Sequence, residues 1–314
     1  MPARTKVIVA GCVCIDISPE FRGGRVADIG ELLRPGKLIE TGKATISPGG
    51  AVSNTGLALK ALGEDVVMMA RTGDDLLGDT LSGIMAKYGV EDSMIRAPGE
   101  DTAYSVVLAI PGIDRIFLHD PGANHTFCTD DIPQEGLKDA AIFHFGYPPL
   151  MRTMYRDGGD ELIKVMSKAK AAGCITSLDM AMADPESEAG QADWPSILKK
   201  VLPLTDIFVP SFEELLFMLD RDRYDSLKAE AGKDDIVYAA VAQESDHIVG
   251  LVEIMTVEVF GLYAEIGGTG SDIGIAPVID DNIDNNIAAV CKIFRYLLGI
   301  GAVARSKYGE SDDF

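Results

Sequence analysis

Short apolar runs alternate with amphipathic helical patterns along most of the chain. The runs at 7–13, 66–71, 140–145, 175–179 and 207–209 predict buried strands. The segments between several of them repeat apolar residues every three to four positions, as helices do. Strands that alternate with helices indicate a parallel sheet covered on both faces. The predicted fold class is therefore α/β, with a central, mostly parallel sheet in a three-layer core.

One amphipathic helix begins at the glycine pair Gly49 and Gly50. Gly63 is placed to end it, because glycine adopts the left-handed conformation that closes many helices. The stripe predicted to face the core consists of Leu57, Ala58, Ala61 and Leu62.

Two segments depart from this strand–helix rhythm. Residues from about 17 to 45 are polar and rich in glycine, and residues from about 101 to 127 contain two strand-like runs around the turn Pro-Gly-Ile-Asp at 111–114. The turn predicts a hairpin, and the two segments together predict a small sheet, or lid. We interpret residues 1–314 as a single domain, in which 239–314 fit the pattern poorly and form an atypical C-terminal part.

Composition excludes several classes of protein. The chain is 47% hydrophobic and 25% charged, which is typical of a globular protein and not of a disordered one. Lys and Arg number 28 against 49 Asp and Glu, a formal net charge of -21 that opposes binding to nucleic acid. No stretch of about 18 apolar residues is present, so we expect neither a transmembrane helix nor a membrane partner.

The five cysteines indicate a reducing compartment. They are scattered and odd in number, which favours free thiols over a disulfide framework, and a cytoplasmic location is expected. Cys12 and Cys14 form the one close pair. A metal or redox site is conceivable there, but buried structural thiols are the favoured interpretation, since free cysteine usually packs as a small hydrophobic residue.

Three glycine-bearing elements carry candidate chemistry. The first places Asp16 at the carboxyl end of a strand, where open α/β sheets bind ligands. In the second, Gly49 and Gly50 allow a ligand to approach the backbone, and Asn54 offers a donor and an acceptor to hydroxyl groups. Taken alone, this second element is explained equally well as a ligand site or as a tight turn at Gly49 and Gly50 with Asn54 in the first part of a helix. The third, at 71–81, is by itself better explained as a helix start.

In order and spacing, these elements resemble the ribokinase, or PfkB, family of carbohydrate kinases. The matching segments are GCVCID, SPGGAVSNTGLALKALG, ARTGDDLLGDTLSGIMAKYGV, GIDRIFLHDPGAN and DIFVPSFEEL. The resemblance runs from about residue 6 to 219, and its most specific part is the helix start with Gly-Gly and the following asparagine.

The resemblance implies a ribokinase-like α/β core with a small β-sheet lid. It also implies a cytoplasmic enzyme that transfers the γ-phosphoryl group of ATP to a hydroxyl of a sugar or related polyol, with Mg²⁺. Lid edges in this family often pair between subunits, so a homodimer through the lid is consistent with the resemblance.

Site residues follow from the same resemblance. The positions matching those that hold substrate hydroxyls are Asp16, Gly49, Gly50 and Asn54, with Asn124 as a further candidate. Glu214 matches the glutamate that helps to organise Mg²⁺ through water. Ser211 stands in this part of the nucleotide site where the family has asparagine.

The C-terminal part departs from the family pattern. The glycine-rich motif DTxGAGD, which ends in the catalytic base, is not intact, and the nearest text is IGGTGSDIG. On that match Asp272 is the base, and Gly268 and Gly270 belong to the turn that receives the phosphoryl group. Gly261 matches the nucleotide turn, although Glu258 replaces its first glycine. The alternative is a catalytically silent sugar-binding protein with the same fold.

Overall fold

A six-stranded parallel sheet forms the centre of the molecule. The computed structural model describes residues 5–90 and 94–231. Numbered in chain order, the strands of this sheet are β1 (Lys6–Gly11), β4 (Val66–Gly73), β5 (Met94–Ala97), β8 (Ala140–Gly146), β9 (Ile175–Asp179) and β10 (Ile207–Phe208). Their order across the sheet is β10-β9-β8-β1-β4-β5, and every neighbouring pair is parallel.

Helices connect and cover these strands. They are α1 (Ile29–Leu32), α2 (Gly50–Ala61), α3 (Leu76–Ala86), α4 (Gln134–Lys138), α5 (Arg152–Tyr155), α6 (Asp160–Ala171), α7 (Trp194–Val201), α8 (Phe212–Leu219) and α9 (Arg221–Ala231). Within residues 5–90 and 94–231, no helix is both long and apolar enough to cross a bilayer.

The central sheet is buried on both faces, as the apolar runs predict. Along β1, Ile8 and Ala10 belong to one hydrophobic cluster, whereas Val7 and Val9 belong to another. Because successive side chains of a strand point to opposite faces, the two clusters lie on opposite sides of the sheet. The expected three-layer α/β core is confirmed.

A second sheet of four strands stands apart from the first. It consists of β2 (Cys14–Pro19), β3 (Ala44–Gly49), β6 (Tyr104–Leu108) and β7 (Ile116–Asp120). The order is β3-β2-β6-β7, in which β2 pairs antiparallel with β3 and parallel with β6. Strands β6 and β7 form the predicted antiparallel hairpin. We call this sheet the lid.

The prediction that Asp16 ends a strand of the central sheet was wrong. The first apolar run divides at Gly11, whose φ of +126° only glycine adopts readily, and the Cys12 amide donates to the Gly146 carbonyl at 3.1 Å. The chain then enters the lid as β2, so Asp16 lies in the middle of a lid strand. The run looks continuous because residues on both sides of the break, such as Val13, are fully buried.

The stripe predicted to bury α2 was right only in part, because Leu57 and Ala58 pack against the core whereas Ala61 and Leu62 are exposed. The helix buries Val52, Thr55, Gly56 and Leu59, whereas Leu62 is 42% exposed. A Cβ at Gly56 would lie 2.8 Å from the Met68 sulfur, so the small residue brings the helix close to β4. Gly63 ends the helix with φ +87°, as expected.

Candidate functional site

The carboxylate of Asp16 occupies the space in front of Gly49. The two residues lie on neighbouring lid strands, and a Cβ at Gly49 would lie 2.3 Å from Asp16 Oδ2. The Cys14 thiol donates to Asp16 Oδ1 at 3.4 Å. Asp16 itself is half-buried, so the carboxylate retains an open side for a ligand.

Gly50 seats the start of α2 against the segment that joins β1 to β2. Its φ is +81°, and a Cβ there would lie 2.7 Å from the Cys12 carbonyl oxygen. The Val52 amide donates to that oxygen at 3.0 Å. Residues four apart share one face of a helix, so Asn54 stands one turn along from Gly50 on the same side.

Both cysteines of the close pair are buried and free. Burial, with the charge of Asp16 as a smaller cause, raises the pKa of the Cys12 thiol to about 12. The pKa of Cys14 is also well above its ordinary value, again chiefly because of burial. Neutral thiols packed in this way act as small apolar groups, as the sequence analysis favoured. Across the described ranges, 5–90 and 94–231, no group of three or more metal-ligating side chains is assembled.

Asn124 forms side-chain hydrogen bonds with the segment that joins β1 to β2. It is fully buried in the short 3-10 turn Gly122–Thr126, which follows β7. The Val13 amide donates to Asn124 Oδ1 at 3.1 Å, and Asn124 Nδ2 donates to the Val13 carbonyl at 2.9 Å. Its amide is therefore satisfied inside the protein, which favours a structural role over contact with a ligand.

Tyr147 lies at the carboxyl end of β8 and contacts Asn54. Its backbone is left-handed, with φ 65° and ψ 46°, and its amide donates to the Asp179 carbonyl at 3.1 Å. Such a conformation is uncommon for a large side chain and concentrates at functional sites. Burial raises the pKa of the Tyr147 phenol, and the charges of Asp179 and Glu214 raise it further. The hydrogen bond between the phenol and Asn54 acts in the opposite direction.

Two carboxyl groups, the buried Asp179 and the half-buried Glu214, lie near the carboxyl ends of β9 and β10. Asp179 ends β9 and is 8% exposed, and burial together with the charge of Glu214 raises its pKa well above the ordinary value. Burial also raises the pKa of Glu214. Each is anchored by backbone: Met180 N donates to Asp179 at 2.9 Å, and Ser211 N donates to Glu214 Oε2 at 2.7 Å.

Ser211 has a local reason for its presence. Its hydroxyl accepts from the Glu214 amide at 3.2 Å while the Glu214 carboxylate accepts from the Ser211 amide, which is a capping box at the start of α8. The cap fixes the Glu214 side chain near the carboxyl ends of β9 and β10. Ser211 therefore caps α8 at the position where the family resemblance predicts asparagine.

Tyr147, Asp179 and Glu214 lie at or near the carboxyl ends of central strands, whereas Asp16 and Gly49 lie on the lid strands that follow β1 and precede α2. Ligands of open α/β sheets bind at this edge. Carboxylate and amide groups suit the hydroxyls of a polyol, and the carboxyl groups of Asp179 and Glu214 suit a bound cation.

Comparison with known proteins agrees with this arrangement. The model of the pfkB carbohydrate kinase family matches residues 9–248. The chain belongs to the pfkB family of carbohydrate kinases. It is 27% identical over 231 residues to probable fructokinase-4 of Arabidopsis thaliana, covering 71% of this chain and 64% of the relative. It is 30% identical over 189 residues to probable fructokinase-3 of the same plant, covering 58% and 53%. The pfkB chain therefore spans between about half and two thirds of these relatives' length.

Solved structures show the same fold at lower identity. Fructokinase from Xylella fastidiosa, determined with bound ATP, has a TM-score of 0.55 at 23% identity and covers 73% of this chain and 65% of its own. A PfkB protein from Polaromonas sp. JS666 has a TM-score of 0.59 at 18% identity and covers 95% and 90%. The predicted ribokinase-like fold with a lid is thereby confirmed for this pfkB family member.

The structure brings most of the predicted sugar-binding positions of the pfkB chain into one place. Asp16, Gly49 and Gly50 surround the segment that enters the lid, and Asn54 follows on α2. Glu214 lies farther along the same sheet edge. The predicted Gly261, Gly268, Gly270 and Asp272 lie outside the described residues.

Sequence reasoning missed Tyr147 and Asp179. Each stands directly at or after the end of a strand that was predicted, at 140–145 and 175–179. Ligands of open α/β sheets bind at the carboxyl ends of the strands, and this rule, applied to every strand of the central sheet, would have identified both residues.

Proposed function

We propose that the protein is an ATP-dependent sugar kinase that transfers the γ-phosphoryl group of ATP to a hydroxyl of a sugar. The observation that carries this proposal is the Asp16 carboxylate set against Gly49, with Asn54 one turn into α2. A carboxylate and an amide on either side of a glycine pair form a hydroxyl-binding surface. The similar proteins named fructokinase make a ketohexose such as fructose the first substrate to test.

In this proposal Asp16 accepts hydrogen bonds from sugar hydroxyls, and Gly49 and Gly50 let the sugar approach the backbone. Asn54 is held by Tyr147, so its amide is oriented before the sugar arrives. Asn124 keeps the Cys12–Val13 segment in place and makes no sugar contact of its own. This role replaces the hydroxyl contact suggested by sequence.

The residues present fit a magnesium ion near the nucleotide. Asp179 is buried and Glu214 is half-buried, and burial raises the pKa of both carboxyl groups, so a cation bound between them would stabilise their charged forms. Glu214 would hold Mg²⁺ through water, and Asp179 adds charge beside it. When bound, the ion neutralises charge on the phosphate oxygens.

The remaining machinery lies in the C-terminal part and stays a prediction. Asp272 would take the proton of the attacking hydroxyl as its oxygen bonds to the γ-phosphorus and the bond to the ADP oxygen breaks. Backbone amides of the turn with Gly268 and Gly270 would face the phosphoryl charge, and Gly261 would belong to the nucleotide turn.

An experiment on the full chain tests the proposal. Calorimetry with a sugar panel, D-fructose and D-ribose included, is combined with an assay of ADP release. Asp16→Ala should lose sugar binding, whereas Asp272→Asn should bind sugar and lose turnover. Asp139→Asn is the control, because Asp139 is an exposed residue that directly follows α4. Sugar-dependent heat with no ADP release from the wild type would overturn the kinase assignment and identify a silent sugar-binding protein. Unchanged turnover in Asp272→Asn would overturn the base assignment alone.

A further inference from the structure

Arg71 lies two residues before the end of β4, beside the turn that carries Asn124. Its guanidinium group forms ion pairs with two carboxylates, that of Glu100 at 3.4 Å and that of Asp131 at 3.2 Å, and donates to the Thr126 carbonyl at 3.4 Å. The three charged side chains are 20%, 29% and 11% exposed, respectively. Water and salt therefore screen these ion pairs less than they screen pairs on the open surface.

The two carboxylates stand at opposite ends of the β6–β7 hairpin of the lid. Glu100 lies in the segment that leads from β5 to β6. Asp131 lies in the short 3-10 turn Thr129–Asp131, which comes after β7. A single cation of the central sheet therefore contacts the chain both where it approaches this hairpin and where it has left it.

The 3-10 turn Gly122–Thr126 is fixed at both of its ends. At the start of the turn, the Ala123 amide donates to the Asp101 carbonyl at 2.8 Å. At the end of the turn, the Thr126 carbonyl accepts from Arg71, and the Thr126 hydroxyl donates to a carboxylate that the same guanidinium binds. The guanidinium of Arg71 is thus part of the contacts that set the position of this turn.

From this turn, the side chain of Asn124 reaches the segment that enters lid strand β2. It accepts from the Val13 amide at 3.1 Å and donates to the Val13 carbonyl at 2.9 Å, and Asp16 follows three residues later. Consecutive contacts therefore connect Arg71 with the backbone that positions the Asp16 carboxylate. Removal of the guanidinium would leave two partly buried carboxylates without their cation, which is costly and would displace the turn that lies against them.

We propose that Arg71 is a positioning residue for sugar binding, which acts through Asn124 and the Cys12–Val13 segment on the carboxylate of Asp16. The inference rests on the proposed function in one respect, namely that Asp16 binds sugar. Its first step, in which Arg71 holds Asn124 against Val13, does not depend on that function and is measured separately.

Amide hydrogen exchange on the full chain measures the first step. Arg71→Met removes the charge and keeps an aliphatic side chain, and it should speed exchange of the Val13 amide about tenfold or more relative to the Ile8 amide, which lies in the core strand β1. A general loss of stability would instead speed both amides by the same factor, since both would then exchange through unfolding.

Arg96→Met is the matched control. The Arg96 guanidinium also binds a carboxylate and a backbone carbonyl near this edge of the sheet, namely Asp79 and the carbonyl of Gly73. These partners belong to α3 and to the end of β4, and not to the turn that carries Asn124. Arg96→Met should therefore leave the ratio of the Val13 and Ile8 exchange rates at its wild-type value.

Ligand affinities measure the second step. In calorimetry with D-fructose and D-ribose, Arg71→Met should weaken binding of the preferred sugar by roughly 3- to 10-fold. Arg71→Lys, which keeps the charge, should recover part of this loss, and Arg96→Met should match the wild type. Binding of the ATP analogue AMP-PNP with Mg²⁺ should change less than about twofold in Arg71→Met, because the connected contacts end at Asp16.

The possible results separate this inference from the proposed function. If Arg71→Met leaves the exchange ratio or the sugar affinity at the wild-type value while Asp16→Ala abolishes binding, the inference fails and the sugar site stands. If both change as expected but the wild type releases no ADP, the inference stands and the kinase assignment fails. Binding of no sugar by the folded wild type overturns both. Should Arg71→Met unfold in a thermal melt, Arg71→Lys and Glu100→Gln are measured in its place, and wild-type exchange ratios and sugar affinities in both would overturn the inference.

Discussion

Asp16 and Gly49 compete for one space: a Cβ at position 49 would lie 2.3 Å from the Asp16 carboxylate oxygen. Real Cβ atoms do not approach an oxygen so closely, so any side chain at 49 would displace the carboxylate. The glycine is therefore required for the position of Asp16, beyond its role in letting a ligand approach the backbone.

The first prediction concerns this pair. Gly49→Ala should weaken sugar binding about tenfold or more, because displacement of Asp16 removes a charge-assisted hydrogen bond worth about 1.5–3 kcal/mol. Calorimetry gives the dissociation constant. Gly83→Ala is the control, since a Cβ at this exposed position in α3 meets no atom within 4 Å. Equal affinities in the two variants would show that the carboxylate adapts and the argument fails.

The second prediction separates Asn124 from the residues proposed to bind sugar. Asn124→Ala leaves the buried Val13 amide and carbonyl without partners and should lower the free energy of unfolding by about 2–4 kcal/mol. Asp16→Ala should instead lower sugar affinity with a much smaller change in stability. Denaturant unfolding and calorimetry on both variants check this crossed pattern, and a fully stable Asn124→Ala that has lost sugar binding would contradict it.

The third prediction concerns the phenol of Tyr147. Tyr147→Phe removes its hydrogen bond to Asn54 and should weaken sugar binding roughly fivefold, as expected for the loss of about 1 kcal/mol. The left-handed backbone is retained by an aromatic residue of the same shape. Tyr88→Phe, at a half-exposed tyrosine after α3, serves as the control. A wild-type dissociation constant in Tyr147→Phe would remove Tyr147 from the site.

The fourth prediction is a pH dependence of stability. The pKa of Asp179 is raised in the folded state, so the folded protein binds this proton more tightly than the unfolded chain does. Its contribution to stability is greatest below the ordinary aspartate pKa of about 3.9 and is lost as the pH rises toward the folded pKa. Each unit of difference corresponds to about 1.4 kcal/mol.

Asp179→Asn should therefore flatten the fall in melting temperature from pH 5 to pH 8 and raise the melting temperature at the upper end. Asparagine still offers an oxygen to the Met180 amide, so the local hydrogen bond is preserved. Asp139→Asn, at an exposed position, should leave the profile unchanged. Parallel curves for Asp179→Asn and the wild type would contradict the prediction.

The pattern of apolar residues was sufficient to predict strands of the core. The strands at 140–146 and 175–179 were expected within one residue, because burial on both faces of a sheet produces continuous runs of apolar residues in the sequence. The need for glycine at 49 and 50 was also predictable, and the structure leaves no room for a Cβ at either position, whereas the role of Asn54 in binding a sugar stays a prediction.

Tertiary contacts determined which sheet holds Asp16 and which distant polar groups meet. Nothing in the apolar run from Val7 to Ile15 shows that Gly11 ends one sheet and that Asp16 belongs to another, because residues buried in either sheet look alike in sequence. The hydrogen bonds between Asn124 and Val13, and the pairing of Asp16 with Ser105 in the lid, join residues about a hundred positions apart. Local sequence encodes which residues are buried and where helices start; which distant polar groups meet is set only when the strands pair in register.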